Sequence, residues 1–390
     1  MRIAPKSFAF TVLLGLFAAL PALSIDVSAP TLALLPKALD TSRTLAGLTL
    51  SLFMVGFALG QLAGGGLSDR DGRRPVLLRG LACFTVAGIA CTMSWSGTAL
   101  AISRLIQGFG AGACSVISFA MVQDLFEGDA ARAKRSYVTV IFGIVPILAP
   151  ALGSLLTGWY GWRAVHGVLT LAGGLLLIVT WAGIAESRAT GNDAAALARG
   201  SLRLRDDPGF VRITLANAFS YGGIFAYIAG SPVVIIGLMG LSSTVFAGIF
   251  ACTAAALAAG AWTSGLLSRR GVGAIALVEP GFIAAAAATV VLAAASLFGF
   301  TSGVVLLPLL LAILFARGVI APNMQHLAIE RQRERAGAAS AAVGVSQLLA
   351  GAAASAAVAV LLPALGTGAV AVPMAVFALA ALAAWRTANR

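Results

Sequence analysis

Twelve stretches of mostly apolar residues, each long enough to cross a lipid bilayer, run through this chain of 390 residues. They lie near 8–35, 44–66, 76–96, 98–121, 136–158, 164–185, 210–236, 243–266, 273–296, 300–323, 337–361 and 366–386. About 20 apolar residues in helical form cover the hydrocarbon layer, and within that layer only helices or closed barrels satisfy their backbone groups. None of the stretches alternates polar and apolar residues as a barrel strand does, and most far exceed the ~10 residues of such a strand. An all-α integral membrane fold with twelve transmembrane helices is therefore expected. Composition removes the alternatives. Only 10% of the residues are charged and 59% are hydrophobic, whereas about a quarter of a soluble domain is charged and a disordered chain is poor in apolar residues.

The first stretch begins like a secretory signal, with Arg2 and Lys6 ahead of an apolar run and Ala22-Leu23-Ser24 after it. Hydrophobicity resumes from Val27 to Leu35, so we read it as a retained span. In a soluble chain the net charge of +12 would suggest nucleic acid, so the location of the charges decides. With a cytoplasmic N-terminus, all lysines and arginines fall on the cytoplasmic side except Lys37, Arg43 and Arg163 outside and Arg104 and Arg317 within spans. That bias is the signature of membrane orientation. It predicts a multi-pass protein with both termini cytoplasmic, in contact with the lipid bilayer and without a nucleic-acid partner.

Neither a cofactor nor a metal is indicated. Cys83, Cys91, Cys114 and Cys252 sit in apolar runs without ligand spacing, and His166 and His326 are far apart. The chain has no phosphate-loop lysine motif, its only lysines being Lys6, Lys37 and Lys134, and the glycine run at Gly108, Gly110 and Gly112 lies inside a span. With no metal cluster or Ser–His arrangement apparent at membrane depth, the chain reads as a non-enzyme.

The longest polar interruption, 186–209, carries Glu186, Arg188, Asn192, Asp193, Asp206 and Asp207. It divides the chain into six-helix bundles at 1–185 and 210–390 joined by a cytoplasmic linker. A sequence echo supports two pseudo-repeat halves: Gly66, Leu67, Arg70 and Gly72 match Gly265, Leu266, Arg269 and Gly271 at a constant offset. Parallel repeats of this kind build one class of secondary transporter.

The sharpest motif is Gly65-Gly66-Leu67-Ser68-Asp69-Arg70-Asp71-Gly72-Arg73-Arg74-Pro75, after the second span. A basic turn that merely sets orientation accounts for its arginines but not for Asp69 or the paired glycines. Asp69 at one helix end and Arg73 four residues on are placed to clamp two helix ends together. In the fourth span stands Arg104-Leu105-Ile106-Gln107-Gly108. A buried arginine is costly and needs a partner or a wet cavity, and the only acid at matching depth in this half is Asp26. The fifth span carries Gly143, Pro146, Pro150 and Gly153, with Ala149 and Ser154 among them.

The loop run resembles the loop motif of the major facilitator superfamily, and the fourth-span and fifth-span runs resemble that family's arginine motif and antiporter motif. With Asp26, Pro30 and Pro36 in the first span and Phe225 to Pro232 in the seventh, the chain is similar to the drug:proton antiporters of the bicyclomycin and chloramphenicol/florfenicol resistance branch. The resemblance implies the major facilitator fold, a bacterial-type inner (plasma) membrane location, a monomer, and proton-coupled antiport of a small-molecule drug by alternating access. It implies proton coupling at Asp26 and Arg104, and gating at Asp69, Arg73, Arg74, Gly143, Pro146 and Pro150. Ser268 stands where a second copy of Asp69 would, which weakens the C-terminal clamp. Tyr221, Phe225, Tyr227, Asn323 and Gln347 are candidates for the substrate cavity as aromatic walls and polar groups, and Glu279 and Arg317 join them as charges within spans. An exporter or importer of metabolites, or a non-transporting receptor, remains open.

Overall fold

The computed structural model describes residues 3–187, 203–300 and 302–388. Among them no strand occurs, and twelve helices are long and apolar enough to cross a membrane. They are α1 (Phe8–Ser28), α2 (Arg43–Asp71), α3 (Arg73–Thr92), α4 (Gly97–Leu125), α5 (Gly128–Tyr160) and α6 (Trp162–Gly183). After these come α7 (Pro208–Pro232), α8 (Ser243–Arg269), α9 (Ala274–Leu297), α10 (Gly303–Arg331), α11 (Ala336–Leu365) and α12 (Gly368–Ala388). The chain divides into two compact units, Met1–Ala194 and Ala195–Arg390. The greater part of the polar segment 186–209, with Arg188, Asn192 and Asp193, lies outside the described residues.

Local chemistry sets the helix starts. Ser7, Ser42, Ser96 and Ser242 each accept a hydrogen bond from a backbone N–H three residues on, at 3.0–3.2 Å, which satisfies a donor the first helical turn leaves free. Pro30 continues α1 as a 3-10 turn over Ala29–Ala33, and Pro36 opens a one-turn helix, Leu35–Ala38. Gly72 and Gly271, the echo positions, both have positive φ, at 100° and 85°, so the repeat is a property of the backbone as well as of the sequence. Large apolar side chains such as Leu171, Leu175 and Ile178 are left exposed along α6, as expected where the solvent is lipid. Trp95, Trp159 and Tyr160 are exposed at helix ends, where amphipathic rings sit at the membrane–water boundary.

The tightest packing within the N-terminal unit joins α2 to α4. A Cβ added at Gly60 would overlap the Phe109 carbonyl oxygen, and one at Gly112 that of Phe57. In the C-terminal unit Gly260 meets the Phe315 carbonyl and Gly318 that of Leu257. The pairs correspond, and so do the helices: α4 and α10 are both 29 residues long. Small residues let membrane helices approach this closely.

Candidate functional site

Arg73 opens α3 and is the hub of an ion-pair cluster inside the N-terminal unit. Its Nη1 donates to Asp69 Oδ1 at 2.5 Å and to Ser68 Oγ at 2.7 Å, and its Nε to Asp124 Oδ2 at 2.8 Å. The side chains of Arg73, Asp69 and Asp124 are only 10%, 16% and 9% exposed. The expected Asp69–Arg73 pair is present, and Asp124 at the end of α4 is a second anion that sequence reasoning missed. Glu186 is a third. Its carboxylate accepts from the backbone N–H groups of Arg73 at 2.8 Å and Arg74 at 3.1 Å, so it caps the positive end of α3. Arg74 Nη2 donates to the Trp181 carbonyl at 2.8 Å. The cluster therefore ties together the ends of α2, α3, α4 and α6.

Gly72 makes the cluster possible. Its φ of 100° belongs to glycine, and a Cβ there would stand 2.7 Å from Glu186 Oε2. The Gly72→Ala variant is expected to lose about 1–3 kcal/mol through backbone strain alone, measurable as a lowered unfolding temperature in detergent.

Arg104, on α4, is 2% exposed. Its Nη1 donates to Gln107 Oε1 at 2.7 Å, and its Nη2 donates to the Ser24 carbonyl and to Ser28 Oγ, both at 3.2 Å. The guanidinium lies 4.1 Å from the centre of the Phe53 ring. All of these partners are neutral. The expected pairing of Arg104 with Asp26 is thus corrected, and the helical period gives the reason. Residues two apart point about 200° apart around a helix, so Ser24 and Ser28 meet Arg104 while Asp26, midway between them, faces away.

Asp26 is 4% exposed and makes no hydrogen bond or ion pair among the described residues. It shares a stripe of α1 with Gly15, whose missing side chain leaves room for Ile141 of α5. One residue on from Asp26, the Val27 carbonyl oxygen fills the space a side chain at Gly153 would need. The fifth-span run thus packs against the end of α1 that carries the acid. Ser154, next to Gly153, and Thr157 have buried hydroxyls without hydrogen-bond partners. Pro150 is buried and Gly143 exposed; α5 runs through both, and the Pro146 side chain lies outside the described residues.

A second buried polar cluster stands in the C-terminal unit. Arg317 Nη1 donates to Asn217 Oδ1 at 3.4 Å, and the guanidinium lies 6.0 Å from the Tyr221 ring, which in turn packs at 4.8 Å on Phe225. Beside Arg317 is a cavity of about 30 Å³, bounded also by Ser220 and Thr289, which is room for a water molecule. Asn217 was missed in the sequence, and its Nδ2 is unpaired. The other candidates are not brought into this cluster. The Tyr227 hydroxyl is 3.0 Å from Thr253 Oγ1, and Asn323 Nδ2 donates to Ser264 Oγ and the Val319 carbonyl, each at 2.7 Å. Both side chains therefore serve contacts within their own unit. Glu279 and Gln347 are half-buried and have no polar partner among the described residues.

The register of the two buried arginines differs. Matching Gly112 to Gly318 places α4 and α10 on one frame, with starts at Gly97 and Gly303. Arg104 is then the eighth residue of its helix and Arg317 the fifteenth. At 1.5 Å per residue, Arg317 lies about 10 Å further along its own helix than Arg104 does along its own. Asp26 likewise has no acidic counterpart, since Ala226 occupies the corresponding place in α7.

The comparisons with known proteins agree with this architecture. The family model for the Major Facilitator Superfamily matches residues 12–355. An uncharacterized MFS-type transporter, YdgK of Bacillus subtilis, is 30% identical over 89% of this chain and 87% of its own. A bicyclomycin resistance protein homolog of Haemophilus influenzae is 28% identical over 87% of this chain and 86% of its own. A chloramphenicol resistance protein of Pseudomonas aeruginosa is 35% identical over 64% and 60%. Among solved structures, a D-xylose-proton symporter superposes with a TM-score of 0.77 at 19% identity over 97% of each chain. A bacterial homolog of the lysosomal transporter Spinster gives 0.79 at 15% identity, covering 100% of this chain and 98% of its own. With twelve membrane-length helices, a sequence echo that the backbone repeats, and a family match over most of its length, the chain belongs to the Major Facilitator Superfamily and is a multi-pass membrane transporter.

Proposed function

We propose that this transporter exports small, mostly apolar drugs in exchange for protons, by alternating access, as a monomer with both termini in the cytoplasm. One observation carries the proton half of the reading: Asp26 is buried among helices with no counter-charge or hydrogen bond among the described residues. An ionised carboxylate in that position is costly, so its ionisation is tied to the arrival of water or a cargo group. Proton and cargo then exclude one another, which is the condition for exchange. The drug half rests on relatives named for bicyclomycin, chloramphenicol and multidrug resistance. The ion-pair cluster around Arg73 serves as the gate in this reading, and Arg104 holds α1 against α4 while Asp26 changes charge. Arg317, Tyr221 and Phe225, now packed together, are the cargo-binding residues in this reading once the cycle opens the cluster around them.

Purified protein in proteoliposomes, given an imposed pH gradient and a panel of fluorescent or radiolabelled drugs, tests the proposal. Drug movement opposite to the proton flow is expected. Movement in the same direction as the proton identifies an importer, and movement indifferent to pH overturns the coupling.

A charge pair in the C-terminal unit gives an independent prediction for stability. Asp207 caps α7 through the N–H groups of Gly209 and Phe210, and accepts from Arg331 Nε at 2.8 Å and Gln332 Nε2 at 2.9 Å. The Arg331 guanidinium, above all, holds the Asp207 carboxyl below the usual aspartate range. A carboxyl depressed on folding stabilises the fold above its unfolded-state range and loses that contribution as pH falls through its folded-state value. Wild-type protein is therefore expected to unfold at a higher temperature than Asp207→Asn at neutral pH, with the gap closing in acid.

A further inference from the structure

At the end of the C-terminal unit where α7 and α9 begin and α10 and α12 end, a cleft of about 260 Å³ opens between Ile213, Ile275, Leu327, Glu330, Arg331 and Trp385. We propose that it binds one anionic phospholipid, with the phosphate held at its rim and an acyl chain along its wall. Three observations point to that chemistry.

The first is a buried donor with nothing to donate to. Trp385 is 2% exposed and its ring packs on Phe282 at 6.0 Å, yet its Nε1–H has no hydrogen-bond partner. Buried donors are nearly always satisfied, so an acceptor brought by a ligand is the natural complement. The second is the state of Arg331. Its Nε is committed to Asp207, but its Nη groups make no hydrogen bond among the described residues and remain available to a phosphate. Glu330, also at the rim, is paired with Arg333 at 2.9 Å as Arg331 is with Asp207 at 2.8 Å, so what the rim offers a phosphate is the unused Nη donors of Arg331. The third is the order of polarity. Arg331 is the last residue of α10, while Leu327 and Trp385 lie about a turn deeper and Ile213 deeper still along α7. Charge at the helix ends above an apolar wall matches a headgroup above its chains. A guanidinium at the rim of a pocket between membrane helices suits a lipid phosphate.

Full-length protein, delipidated in detergent, can be titrated with phosphatidylglycerol, phosphatidylcholine or inorganic phosphate and the bound species counted by native mass spectrometry. Saturable binding of one phosphatidylglycerol per chain is expected, in preference to phosphatidylcholine and without binding of inorganic phosphate. Trp385→Phe, which keeps a ring against Phe282, is expected to weaken it about tenfold through loss of one charge-assisted hydrogen bond. Arg331→Lys, which keeps a charge opposite Asp207 but loses the guanidinium fork, is expected to weaken it as well. Unaltered binding in both variants overturns the proposal, as does equal binding of the two lipids. Saturation by inorganic phosphate assigns the cleft to a free anion instead. If removing residues 389–390 increases lipid binding severalfold, those residues compete for the cleft and the proposal fails.

Discussion

Arg73→Gln is expected to be among the most damaging single substitutions in the N-terminal unit. It removes the one guanidinium that holds Asp69 and Asp124 together and leaves two carboxylates facing each other with little water. Removing one partner of a buried ion pair costs about 3–5 kcal/mol, and here a second acid shares the loss. A marked fall in the unfolding temperature of purified protein is expected, together with loss of transport. The double variant Arg73→Gln/Asp124→Asn separates the two contributions. It relieves the repulsion and is expected to recover stability, whereas a purely steric role for Arg73 predicts no recovery.

The second large effect is expected at Asp26. Asparagine preserves the shape of the side chain and removes its titratable group, so the helices around it are not asked to repack. If one proton is exchanged per drug molecule, one pH unit sustains about a tenfold drug gradient. In Asp26→Asn proteoliposomes that ratio is expected to fall to one, and drug binding to the detergent-solubilised protein is expected to lose its dependence on pH, because a neutral amide stands permanently in for the protonated acid. A gradient that survives the substitution removes Asp26 from the coupling step. Arg104→Gln makes a useful contrast. Its partners are the Ser24 carbonyl, Ser28 and Gln107 rather than Asp26, so its loss is expected to show first as weaker docking of α1 on α4 and as reduced stability.

These residues also show what a sequence discloses and what it withholds. The helices were legible because a membrane span must be long, apolar and continuous. The Asp69–Arg73 pair was legible because its members lie four residues apart across a single turn. Asp124 and Glu186 were not, because their approach to Arg73 depends on how α4 and the segment after α6 return to the same end of the unit. For Asp26 and Arg104 the shared depth was read correctly and the direction around the helix was not. Depth follows from counting residues, but direction requires knowing which side of α1 meets α4. Asn217 shows the same difficulty, being an ordinary polar residue until α10 brings Arg317 beside it. Tyr227 shows its converse, an aromatic residue in a promising run whose hydroxyl is taken up by Thr253.

The staggered arginines bear on voltage. A transmembrane potential acts on a charge according to the fraction of the field that lies to either side of it, at about 2.3 kcal/mol for a full crossing of 100 mV. Arg104 is the eighth residue of its helix and Arg317 the fifteenth of its own, so the share of that drop each cation feels is set separately in each unit by its position along its span. A hybrid chain in which Arg104 is shifted to position 111, the register that Arg317 occupies in its own helix, would therefore respond differently to an applied potential even with every helix in its original place.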